Sequence, residues 1–151
     1  YVDNWQQRRE TIHCYYREQF ADLPIDIIEP ESYCVSNRHK FVILLKDRKS
    51  FVNYMQDEVQ VQMHYTDKFS NTWHQIRSHY PNTDRFCNQA ISLPNHQWLT
   101  DTEVEKIAEK TKRQNAKRQN AKRQNAKRQK IKRQSAGKNM SKSCIKIITK
   151  F

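Results

Sequence analysis

Apolar positions near the start recur at helical spacing. In NWQQRRETIHCYYREQF, residues Trp5, Ile12, Tyr16 and Phe20 fall on one stripe with no Pro or Gly between them, which predicts a helix over Asn4–Phe20. LPIDIIEPESY follows, interrupted by Pro24 and Pro30, and reads as extended chain or loop. KFVILLK is a continuous apolar run between charges, the pattern of a strand covered on both faces. In DRKSFVNYMQDE, Phe51, Val52 and Met55 define a short helix that Asp47 can cap.

A different period comes next. VQVQMHYTDKF alternates: Val59, Val61, Met63 and Tyr65 on one side, Gln60, Gln62 and His64 on the other, as in a half-buried strand. The following polar stretch with isolated aromatics reads as loop with one helical turn. DRFCNQAISLP predicts a short helix with Phe86, Ala90 and Leu93 inward, stopped by Pro94. LTDTEVEKIAEKTKR opens with a capping box, Thr100 and Glu103, and buries Val104, Ile107 and Ala108. The order helix–strand–helix–strand–helix–helix predicts an α/β fold, a small sheet with flanking helices.

Beyond residue 112 the pattern turns repetitive. KRQNA recurs in tandem, built from residues that favour helix. Five residues advance a helix by about 140° net, so the charges wind around every face, and each repeat renews a like-charged i,i+4 pair. The expectation is a frayed solvated helix or disorder. Two regions follow: a body, residues 1–112, and a basic low-complexity tail, residues 113–151.

Charge sharpens this division. The formal net charge is +12, but Thr111 to Phe151 carry 15 Lys and Arg and no Asp or Glu, leaving 13 basic and 16 acidic residues in 1–110. Nucleic-acid binding inferred from basicity therefore belongs to the tail alone, and without aromatics or a groove register it would be non-specific. Four scattered cysteines, with no CxxC or zinc-finger spacing, read as free thiols of a reducing compartment. No apolar stretch is long enough for a membrane helix or signal segment, which points to a cytoplasmic protein. The chain begins at Tyr1 rather than Met, as a piece of a longer protein would. Gly137 is the one glycine, so the body has no glycine-rich phosphate loop, and GxSxG and HExxH motifs are missing too.

His64 is the leading candidate for chemistry, on the polar side of its strand and at its end, where α/β folds often place ligands; an exposed histidine is the plainer reading. Tyr65 has the apolar phase and reads equally as a core tyrosine. His74 and His79, five apart, do not share a helix face as metal ligands do. His39 reads as structural. Asp26 and Glu29 sit among prolines, with no pattern that specifies carboxylate catalysis.

Several stretches then fall into one order: RRETIHCYYREQF, RHKFVILLKDRKSFVNYMQDEVQVQMHYTDKF and FCNQAISLPNHQWLTDTEVEKIA. Together they resemble the C-terminal small domain of the DegT/DnrJ/EryC1/StrS family, pyridoxal-phosphate sugar aminotransferases. The resemblance runs from Asn4 to Lys112. It rests on an Arg-Arg helix, His39 with Phe41–Ile43, the His64–Tyr65 pair, Ile91–Pro94 and Leu99–Val104. It implies fold-type I architecture, a homodimer when intact, and amino transfer, usually from glutamate, to a keto-sugar nucleotide. It also implies that His64 and Tyr65 contact the sugar-nucleotide substrate. The family's Schiff-base lysine, cofactor-phosphate residues and pyridine-nitrogen carboxylate belong to the large domain, and none has a counterpart here. Pyridoxal phosphate is thus implied by resemblance alone, no catalytic, cofactor-binding or metal residue is assigned, and the chain by itself is expected to be inactive. Two readings remain open: a fragment or small domain of a nucleotide-sugar aminotransferase, or a non-enzymatic binding protein whose cationic tail holds nucleic acid or other polyanions.

Overall fold

The computed structural model describes residues 1–63 and 80–148, with side chains as far as residue 132. The chain divides into two units, Tyr1–Gln114 and Asn115–Phe151.

In the first unit, helix α1 spans Val2–Phe20 and turns Ile12, Tyr16 and Phe20 into the core. Trp5 departs from the expected stripe: it is 40% exposed and meets the still more exposed Trp98 at a ring separation of 6.3 Å. Three apolar residues on the C-terminal turns suffice to dock the helix, so its first turns have no core beneath them.

The strands β1 (Asp26–Ile27), β2 (Phe41–Leu44) and β3 (Ala90–Leu93) form one antiparallel sheet in the order β1-β2-β3. Strand β2 lies in the middle, as its unbroken apolar run requires: Phe41, Ile43, Leu44 and the following Leu45 are buried. Its register pairs Phe41 with Leu93 and Leu44 with Ala90. Helix α2 (Arg48–Met55) starts at Asp47, whose side chain accepts from the Ser50 N–H at 3.3 Å, and buries Phe51 and Met55.

One sequence expectation fails here, and a second falls only partly within the described residues. DRFCNQAISLP is not one helix: helix α3 covers Pro81–Gln89 and the chain then becomes β3, with all four strand residues buried. The apolar residues Ala90, Ile91 and Leu93 fit a helical stripe, but their backbone pairs with β2, and that long-range ladder outweighs local period. The alternation of residues 59–63 is visible in part. Val59 is buried and Gln60 and Gln62 are exposed, yet Met63 is 39% exposed and, among the described residues, the ladder contact is a bridge between Gln62 and Ser92. His64 and Tyr65 lie outside the described residues, as do His74 and His79.

Helix α4 spans Asp101–Ile148. Its capping box forms as expected: the Glu103 carboxylate accepts from the Thr100 N–H at 2.9 Å, and the Thr100 hydroxyl oxygen accepts from the Glu103 N–H at 3.3 Å. Val104, Ile107 and Ala108 close the core. At its centre Tyr16 stacks on Phe20 at 5.7 Å and meets the Phe41 edge at 5.0 Å.

Candidate functional site

A cleft of about 470 Å³ opens where the end of β3 meets the first turns of α4, and His39, Gln60, Gln62, Ser92, Asn95 and His96 lie along it. The sheet register places them. Residues 39 and 95 lie just past the last β2–β3 pair, Phe41 with Leu93, and Gln62 exchanges two backbone hydrogen bonds with Ser92, at 3.1 and 2.8 Å. Pro94 ends the strand, since it has no N–H to continue the ladder.

Behind this cleft sits a polar cluster that sequence reasoning missed. Arg38 adopts φ 50°, the left-handed region that costs a non-glycine residue roughly 1–2 kcal/mol. Its side chain donates to Glu10 at 3.0 Å and to Glu29 at 2.9 Å. Its backbone carbonyl accepts from the Asn95 side-chain amide at 2.7 Å. Burial opposes the guanidinium charge, but the hydrogen bonds to the two glutamates prevail and raise its pKa above the ordinary arginine value. Surroundings that specify a strained residue from both ends are what allow it to persist.

His13 is the histidine built into the interior: 2% exposed, 3.3 Å from the Arg38 guanidinium and 3.5 Å from Glu29, with its ring edge on Phe41. Burial lowers its pKa; Glu29 and Glu10 act in the opposite direction, while Arg38 and Arg17 add to the lowering. His39, expected to be structural, is exposed instead and contacts Asn37 at 3.1 Å. A signal for Arg38 did exist in the polar turn SNRHK just before the buried strand, but nothing local names its distant partners.

The carboxylates along the cleft are engaged. Hydrogen bonds from Lys110 and Lys106 lower the pKa of Glu58, and the Thr100 backbone N–H does the same for Glu103. Neither is tuned toward neutrality as a general base would be. Ser92 Oγ and Asn95 Oδ1 are buried without a partner, so the wall of the cleft carries unused hydrogen-bonding capacity. Among the described residues, this wall offers hydrogen-bonding groups to a polar molecule.

Lys110 is the buried lysine among those described. It pairs with Glu58 at 2.9 Å and lies over the Tyr54 ring at 5.3 Å. A Schiff-base lysine must present a free amine to the carbonyl, and here the Nζ is engaged by the Glu58 carboxylate. No group of His, Cys, Asp and Glu among the described residues could hold a metal ion.

Comparison with known proteins gives this module its relatives. A curated dTDP-3-amino-3,6-dideoxy-alpha-D-galactopyranose transaminase from Aneurinibacillus thermoaerophilus is 27% identical over 119 residues, 75% of this chain and 32% of that protein. DesV of S. venezuelae, solved with a ketimine intermediate, superimposes with a TM-score of 0.66 at 19% identity, over 72% of this chain and 31% of DesV. Helicobacter pylori PseC, an aminotransferase involved in the biosynthesis of pseudoaminic acid, gives a TM-score of 0.61 at 21% identity, over 75% of this chain and 33% of PseC. The chain spans about a third of the length of these relatives. A family profile matches residues 1–112, and the chain belongs to the DegT/DnrJ/EryC1/StrS aminotransferase family.

Proposed function

We propose that this chain supplies the small-domain module of a nucleotide-sugar aminotransferase and works only together with a large domain that carries the cofactor lysine. The observation that carries this reading is the family match over residues 1–112 in a chain that spans about a third of its relatives. The reaction is transfer of an amino group, usually from glutamate, to a keto-sugar nucleotide; the transaminase from Aneurinibacillus thermoaerophilus supports that substrate class by its name.

The described residues do not fit pyridoxal phosphate by themselves. Their buried lysine is paired with Glu58, and the body has no glycine for a phosphate loop. The cofactor therefore belongs to the large domain. What this module contributes is substrate contact. His64 and Tyr65, which lie outside the described residues, carry that role on family grounds; in the sequence they follow Gln62, which lines the cleft, and Met63. A homodimer accompanies this reading on family grounds. A cytoplasmic location is supported by the free thiols of Cys14, Cys34 and Cys87.

The test is to join the chain to a family large domain, by fusion or co-expression, and assay amino transfer to a dTDP-keto-sugar. His64→Ala should lower kcat/KM by about 10- to 100-fold, the effect of leaving a polar partner unpaired, with the circular dichroism of the wild type. A reconstituted enzyme without transaminase activity counts against the function. A His64→Ala variant that unfolds while its surviving fraction keeps full kinetics withdraws the residue's role.

A further inference from the structure

The second unit carries the other chemistry, and it owes nothing to amino transfer. Between residues 117 and 132 helix α4 holds eight Lys and Arg, and no Asp or Glu follows Glu109 anywhere in the chain. Side chains 120–132 are all exposed. Sixteen helical residues rise about 22 Å, so a cation stands at roughly every 3 Å of axis. At about 100° per residue these cations leave no side of the helix uncovered: their largest angular gap is about 80°.

That distribution selects among polyanions. A membrane surface takes up a helix with cations on one face and apolar residues on the other; here the large apolar residue among the exposed ones is Ile131 alone. A duplex nucleic acid offers about one charge per 1.7 Å of axis. Its major groove, about 12 Å wide, admits a helix between two walls of phosphate. A helix cationic on every side meets both walls in any rotation. The Gln and Asn of the repeat can reach base edges, but the advance of about 140° per repeat gives them no common face, so no sequence is read.

We propose that residues 116–132 form a sequence-independent docking helix for double-stranded nucleic acid. The test uses the full chain and fluorescence anisotropy with two unrelated duplexes of about 20 base pairs, titrated at salt between about 50 and 200 mM. Both duplexes should bind within about threefold of each other, and affinity should fall by about 10³-fold or more across that salt range. Replacing Arg118, Lys122, Arg123, Lys127 and Arg128 by Gln, which keeps helix propensity, should weaken binding by at least about 100-fold and flatten the salt dependence. If the substituted chain loses helix by circular dichroism, the salt slope of the wild type decides alone. Failure to bind duplex at 50 mM salt overturns the proposal. So does tighter binding to phosphatidylserine vesicles or to single strands, or a helical variant that binds as the wild type does.

Discussion

The side-chain amide of Asn95 donates to the backbone carbonyl of Arg38 across 2.7 Å, joining residues 57 positions apart. Asn95 lines the cleft, while Arg38 anchors helix α1 through Glu10 and the turn after β1 through Glu29. One hydrogen bond thus couples the wall of the cleft to the cluster that holds the N-terminal helix. The left-handed backbone of Arg38 is the cost of that arrangement.

Substitution at Arg38 should separate strain from pairing. Arg38→Ala loses both ion pairs and keeps the strain, and is expected to destabilise by about 2–3 kcal/mol. Arg38→Gly loses the same pairs but accepts φ 50°, so it should be the more stable of the two by about 1 kcal/mol. Urea unfolding of both variants checks the order; equal stabilities would show that the backbone bears no strain.

Protonation of His13 should make stability pH-dependent. Its pKa is lowered by burial, so the unfolded chain binds the proton more readily than the folded one. The sign follows: stability is complete above the ordinary histidine value near 6.5 and declines as pH falls below it. Glu58 and Glu103, whose pKa values are lowered by their partners, add a second loss below the ordinary carboxylate range. Thermal midpoints of His13→Gln between about pH 7 and 5 should be flatter than those of the wild type. A parallel decline would assign the effect to other groups.

The buried hydroxyl of Ser92 has no partner, and removing it should help the fold. Ser92→Ala is expected to be neutral or stabilising by up to about 1 kcal/mol in urea unfolding. A clear loss would mean that the hydroxyl is satisfied in solution, by water or by a bound molecule.

The capping box sets a more ordinary expectation. Thr100→Ala should cost about 1 kcal/mol, read as a lower denaturation midpoint with an unchanged m-value.

Lys110 should resist chemistry that marks cofactor lysines. Incubated with pyridoxal phosphate and borohydride, the chain is expected to show no single lysine modified in preference to the exposed ones, because Lys110 is buried and its Nζ is engaged by Glu58. Peptide mapping that finds one stoichiometric site at Lys110 would reverse the assignment of the cofactor to the large domain.

Helices were legible in the sequence because their information is local. The spacing of Ile12, Tyr16 and Phe20, the Asp47 cap and the Thr100–Glu103 box each act within a few residues, and each is found where the pattern put it. The apolar run Phe41–Leu45 marked the central strand for the same reason: a strand covered on both faces needs no partner's identity to be recognised. Ala90–Leu93 could not be read in that way, since its apolar residues suit a helix and only pairing with β2 makes them a strand. The cleft and the Arg38 cluster depend on that same register. The pairing of Phe41 with Leu93 sets the ends of β2 and β3 side by side, where Asn95 reaches Arg38, and the Arg38 side chain in turn gathers Glu10, His13 and Glu29. Composition alone determined the cationic repeat. Tertiary structure decided which polar residues meet, because a hydrogen bond between residues 57 apart exists only after a sheet has set their distance.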